Sequence, residues 1–142
     1  MFLLGVPLLI IPLAFYNIVV FLLPGLEWAQ PLAQVPTPSG TTWTLTLGDF
    51  LIAVSMFILF LEFAKSIRSK GRNGVDHVLS VLLFVGMLAE FLLVKQAATP
   101  TFFLLLVACL VDMIARFSFS IKEARRKVVF EGIDQTQPPR RA

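Results

Sequence analysis

The stretch that decides the fold runs from Thr101 to Ile121, TFFLLLVACLVDMIARFSFSI. An α-helix needs about 20 mostly apolar residues to cross the roughly 30 Å hydrocarbon core of a bilayer. This run supplies them with only two charges, Asp112 and Arg116. The pair is four residues apart with the acid first, the spacing and order that favour an ion pair on one helix face. A charge at such depth is costly unless it is paired, so an intrahelical Asp112–Arg116 pair is expected and the run reads as a span.

Three further runs meet the same length criterion. Phe2 to Leu23 is uncharged throughout; Pro7 and Pro12 remove backbone donors within it and are expected to bend the helix. The other two run from about Leu47 to Ala64 and from about His77 to Val94. The pattern predicts an all-α integral membrane four-helix bundle, with residues 1–132 as one domain and 133–142 as a short, polar, mobile tail. The opening residues lack the basic region and small-residue cleavage site of a secretory signal, so they are read as a true span. Composition agrees. The chain of 142 residues is 57% hydrophobic with mean hydropathy +0.84, against about half apolar and a quarter charged in soluble domains.

Between the first two runs, Pro24 to Thr46 holds four prolines up to Pro38, which exclude a long helix. Trp28 and Trp43 suit an interfacial aromatic belt. Gly48-Asp49 reads as the start of the second helix with Asp49 as N-cap. Gly71 and Asn73-Gly74 give a turn before the third helix, and Asp76 is favoured near that helix's positive end. Gln96 to Thr99 before Pro100 predicts a tight hairpin. The last helix is expected to continue past Ile121 through Phe130 and Glu131 and to end at Gly132.

Charge distribution sets the expected orientation. No Lys or Arg precedes Lys65; ten of the twelve basic residues then fall in two clusters, Lys65, Arg68, Lys70 and Arg72, and Lys122, Arg125, Arg126, Lys127, Arg140 and Arg141. Lys95 and Arg116 are the remaining two. Positive-inside bias places both clusters and both termini in the cytoplasm. Lys65, Arg68, Lys70, Arg72, Lys122, Arg125, Arg126 and Lys127 are the candidate contacts to anionic lipid headgroups. A nucleic-acid surface would interleave base-reading polar and aromatic residues with these charges, and neither cluster does so.

The candidate functional residues are the ionisable groups inside the spans: Glu62, Glu90, Asp112 and Arg116. Asp112 lies ten residues from Lys122, about 15 Å along the helix. Glu62 lies near the cytoplasmic boundary, within reach of headgroups or Arg116. Its face continues through Ser55, Leu59 and Ser66 and is expected to point at other helices. Glu90 is about 20 Å from the cytoplasmic edge, one turn after Gly86, which would admit another backbone. Two readings compete. In one, Arg116 neutralises acids inside the bundle and fixes which helix faces meet. In the other, a surplus acid, foremost Glu90, exchanges a proton or binds a cation during transport.

Several chemistries are argued against. Cys109 is the only cysteine and His77 the only histidine, so a disulfide framework, a zinc site and bis-histidine haem have no ligand sets, and neither a metal nor a cofactor is expected. No nucleophile, base and orienting acid can be assembled, so the chain is not expected to be an enzyme. Small multidrug transporters carry an essential Glu in their first of four helices, and the first helix here has no charge. The stretches Gly48-Asp49-Phe50, Val75-Asp76-His77-Val78-Leu79-Ser80, Ala89-Glu90-Phe91-Leu92-Leu93-Val94 and Ala124-Arg125-Arg126 resemble small uncharacterised four-span inner-membrane proteins of bacteria. The resemblance covers spans two to four, implies a bacterial cytoplasmic membrane location, and brings no activity with it.

The leading expectation is a non-enzymatic small membrane subunit or scaffold that self-associates or joins a larger membrane complex. The alternatives are a small oligomeric channel or proton-coupled transporter using Glu90 and Asp112–Arg116, and an auxiliary small subunit of a multi-component solute transporter.

Overall fold

The computed structural model describes residues 7–68 and 74–135. The chain is mostly helical, with four α-helices and one small sheet: α1 (Ile10–Leu22), β1 (Pro31–Pro36), β2 (Thr42–Thr46), α2 (Leu47–Arg68), α3 (Gly74–Leu93), a 3-10 turn (Lys95–Ala97) and α4 (Pro100–Gln135). Three of these helices, α2, α3 and α4, are long and apolar enough to cross a membrane. α4 is the central element. It packs against both α2 and α3, while α1 leans on α2 and α4.

A row of residues with helical spacing explains the α2–α4 contact. Leu51, Ser55, Leu59 and Glu62 recur at intervals of three or four and are all buried. On α4, Phe102, Leu105, Ala108 and Cys109 are buried in the same core as Leu51 and Leu59. The outward faces are apolar instead: Phe57, Phe60, Leu82, Leu92 and Phe117 are all more than half exposed. Apolar surface on this scale is unfavourable against water and neutral against hydrocarbon.

The sequence-based boundaries need four corrections. α1 begins at Ile10 rather than Phe2; residues 2–6 of the expected span lie outside the described residues. Neither proline falls in the helix interior either, because Pro7 precedes α1. Pro12 is the third residue of α1, where the missing amide has no helical acceptor to leave empty. The Ile11 amide bonds the Leu8 carbonyl instead (3.0 Å). At thirteen residues α1 is about 20 Å long, so a crossing of a roughly 30 Å core would need residues beside the helix as well.

Second, the N-cap of α2 is Thr46, not Asp49. The Thr46 amide and hydroxyl both donate to Asp49 Oδ2 (3.1 and 2.6 Å), and the Asp49 amide donates to Thr46 Oγ1 (3.2 Å). This is a reciprocal capping box in which the acid sits in the first turn and reaches back. Third, α4 runs straight through Gly132 to Gln135. Gly40 is the only described glycine with positive φ (82°), so Gly132 does not adopt the left-handed conformation that would end the helix.

Fourth, the proline-rich connection contains an antiparallel hairpin, with Val35 opposite Trp43 and Gln34 opposite Thr44. Its tip is closed by Thr37, whose amide and hydroxyl both donate to the Thr41 carbonyl (2.8 and 2.6 Å), and by Gly40 in the left-handed region. Trp43 is half exposed and Trp28 partly buried. The hairpin base is tied to α2, because the Leu47 and Gly48 amides donate to the Gln30 and Trp28 carbonyls (3.0 Å each).

Gly48 marks the closest approach between elements. A Cβ built there would lie 2.6 Å from Thr101 Oγ1 and 3.3 Å from the Trp28 carbonyl oxygen. Gly48→Ala is therefore expected to destabilise the fold by about 1–3 kcal/mol, measured as unfolding in detergent micelles. An unchanged midpoint would show that the start of α2 is not packed against α4 in this way.

Candidate functional site

The central position of α4 dictates where Asp112 and Arg116 go. With α2 on one side and α3 on the other, Asp112 and Arg116 are both buried. Arg116 Nε donates to Asp112 Oδ2 at 2.6 Å, the i,i+4 pair that the spacing predicts. The guanidinium also reaches across to α2, where its Nη2 donates to Glu62 Oε1. The backbone amide of Leu8, in the turn before α1, donates to the same Glu62 oxygen at 2.7 Å. Three elements thus meet at one carboxylate.

The cluster holds two carboxylates and one guanidinium, and Glu62, Asp112 and Arg116 are each at most 6% exposed. Burying an ion costs several kcal/mol unless partners replace its water. Arg116 meets this with a charge-assisted bond on each side, one from its own helix and one from the next. Glu62 Oε2 is buried and has no hydrogen-bond partner among the described residues. The arrangement can lock α1, α2 and α4 in one register, and it leaves one carboxylate oxygen able to carry a proton.

A second polar cluster lies at the other end of the helices. The fully buried Tyr16 donates its hydroxyl to the Gln96 carbonyl (3.2 Å) and shares a short hydrogen bond with Thr99 (2.6 Å). Thr99 also caps α4 by accepting from the Phe102 amide (3.2 Å). Tyr16 stacks on Trp28, with ring centroids 4.6 Å apart, and meets Phe102 edge-on at 4.8 Å. Next to it, Asn17 Nδ2 donates to Glu90 Oε2 over a long 3.4 Å. Asn17 Oδ1 and Glu90 Oε1 are both buried without a partner among the described residues. Glu90 therefore belongs to a separate cluster from the Arg116 group, and its contact is a neutral amide on α1.

Of the headgroup candidates, Arg68, Lys122, Arg125, Arg126 and Lys127 are exposed and Lys65 is partly buried. Lys70 and Arg72 lie outside the described residues. Gly86 is exposed on α3, and a Cβ added there would meet nothing within 4 Å. No group of three or more metal-binding side chains occurs among the described residues. Sequence reasoning singled out Glu62, Glu90, Asp112 and Arg116 but missed what α1 brings to them. The signal was the adjacent Tyr16-Asn17, the only strongly polar step in an otherwise apolar run; the Leu8 amide gave none.

Comparisons of this chain with protein-family models, curated proteins and solved structures find no match. The reading of function therefore stands on the geometry alone.

Removing one partner from a buried ion pair costs more than removing the whole group, because the other charge is left uncompensated. Arg116→Leu alone is expected to destabilise the fold by about 3–5 kcal/mol. The triple replacement Glu62→Leu, Asp112→Leu and Arg116→Leu should recover most of that loss. Unfolding midpoints in one detergent measure both, and a triple variant no better than the single one would refute a structural role.

Proposed function

We propose that this chain is a non-enzymatic subunit of a bacterial cytoplasmic membrane, spanning it four times with both termini cytoplasmic, and that it self-associates or joins a larger membrane complex. The observation that carries the reading is the division between inside and outside. Buried polar groups gather in two clusters within the chain, while the outward helix faces are apolar. α3 is the extreme case, with only 11% of its most hydrophobic stretch buried. Its outer face runs through Val78, Leu82 and Val85 past the open notch at Gly86, each exposed. A notch of this kind lets a second helix approach closely in a medium where apolar surface alone gives no drive to associate.

The described residues of the two basic clusters support the orientation, since Lys65 and Arg68 lie in the last turn of α2 and Lys122, Arg125, Arg126 and Lys127 in the C-terminal half of α4. The headgroup contacts at Lys65, Arg68, Lys70, Arg72, Lys122, Arg125, Arg126 and Lys127 follow from it.

One observation favours a second reading, transport coupled to a proton or cation. Asn17 Oδ1 and Glu90 Oε1 are two buried acceptors without donors among the described residues, and a proton or small cation would satisfy both. Auxiliary service to a multi-component transporter shares the leading reading's dependence on a partner.

Native mass spectrometry of the protein extracted gently from its own membrane tests the leading reading. The expected result is an assembly larger than one chain, which Gly86→Trp dissociates without lowering the unfolding midpoint. A monomer in every preparation would overturn it. For the second reading, wild-type protein in proteoliposomes should carry a proton flux that Glu90→Gln abolishes; equal flux from both, or none from either, would remove it.

A further inference from the structure

At the end of the molecule that carries the basic residues, an open cleft of about 590 Å³ lies between residues of α2 and α4. One wall is apolar, formed by Ile67 of α2 and Phe119 of α4. The other is basic: Lys122, Arg125 and Arg126, which project from successive turns of α4. Phe119, Lys122 and Arg126 follow at intervals of three and four and so share one face. Lys122 lies six residues beyond Arg116, about 9 Å farther along the helix axis. The cleft therefore begins just below the buried ion cluster, at the level where the apolar surface gives way to charge.

Three features set this cleft apart from a uniformly solvated helix flank. It has volume, whereas a flank has none. Its cations are uncommitted: Lys122, Arg125 and Arg126 make no ion pair among the described residues, although Glu123 lies three residues before Arg126 on the helix. Its floor is apolar, so an occupant needs an anionic end and a greasy end. Lys127 carries the same charge on the same helix but does not line the cleft.

We propose that this cleft binds one anionic phospholipid of the cytoplasmic leaflet, its phosphate held by Lys122, Arg125 and Arg126 and its glycerol backbone seated against Phe119 and Ile67. Basic pockets between membrane helices on the cytoplasmic side take such headgroups, and guanidinium groups match phosphate oxygens two at a time. Glu123, also in the wall, opposes a second phosphate and accepts from a hydroxyl of the headgroup; Ser66 on α2 completes the polar rim. The site distinguishes lipids by charge. A zwitterionic lipid presents a bulky cation beside its phosphate, which the three basic side chains repel.

The proposal rests on the reading of the chain as a membrane protein with this end in the cytoplasm, so the two are tested in parallel. The full-length protein in detergent is titrated with phosphatidylglycerol, phosphatidylcholine and inorganic phosphate, and bound species are counted by native mass spectrometry. One phosphatidylglycerol per chain is expected, with phosphatidylcholine and inorganic phosphate dissociating. Lys122→Gln and Arg126→Gln should each lower phosphatidylglycerol affinity about tenfold, while Lys127→Gln, outside the cleft, changes it by about twofold or less. The substituted side chains are exposed, and an unchanged unfolding midpoint checks the fold. Equal losses at Lys127 and Arg126, or phosphate binding as tightly as the lipid, would overturn the site. Retention of the chain in alkali-washed membranes separates the two ideas. A retained chain without the lipid overturns this proposal alone, and a released chain overturns the membrane reading beneath it.

Discussion

One buried positive charge organises this molecule. Arg116 sits in the middle helix of the packing and cannot reach water, so its guanidinium must be matched from within. Asp112 matches it from the same helix, Glu62 from α2, and the Leu8 amide, in the turn before α1, adds a second donor to the Glu62 oxygen that Arg116 holds. Hydrocarbon-like side chains alone distinguish poorly between helix rotations, because one leucine face resembles another. An ion cluster does not share that tolerance. A shift of α2 by one residue would turn Glu62 about 100° away from Arg116 and strand both charges.

The two polar clusters divide the work along the helix axis. The Arg116 cluster joins α2 and α4 near the basic end. The Tyr16 cluster joins α1 to the turn between α3 and α4 at the other end, through Gln96 and Thr99. α1 is the element that touches both: the turn before it at Glu62, and its middle at Thr99 and Glu90. A helix of thirteen residues with few packing contacts of its own is thereby fixed at two points.

Much of this was legible in the residues. Long apolar runs announce α2, α3 and α4 because hydrocarbon-facing helices need little sequence beyond length and hydropathy. The Asp112–Arg116 spacing fixed the ion pair by helix geometry alone. Other features were hidden for physical reasons. Glu62 could be placed only to within a choice of headgroup or Arg116, since which helices adjoin is a property of packing. The hairpin was masked by its prolines, although Thr42-Trp43-Thr44-Leu45-Thr46 alternates as a strand does. Thr46 yielded to Asp49 as the expected cap because a capping box uses both residues and differs only in which one lies outside the helix. A main-chain donor such as the Leu8 amide carries no side-chain signature at all.

Finally, α4 is a single uninterrupted helix of 36 residues. At 1.5 Å per residue that is about 54 Å, against about 30 Å of hydrocarbon. If it spans the bilayer, some 20 Å or so remain outside as a rigid post rising from the headgroups. Such a post acts as a spacer. Whatever meets Val128, Val129 and Phe130, all strongly exposed along it, is held at a set height above the lipid and at a set angle about the axis of α4. Arg116 fixes that angle too, for a helix that cannot turn at its buried charge cannot turn at its tip.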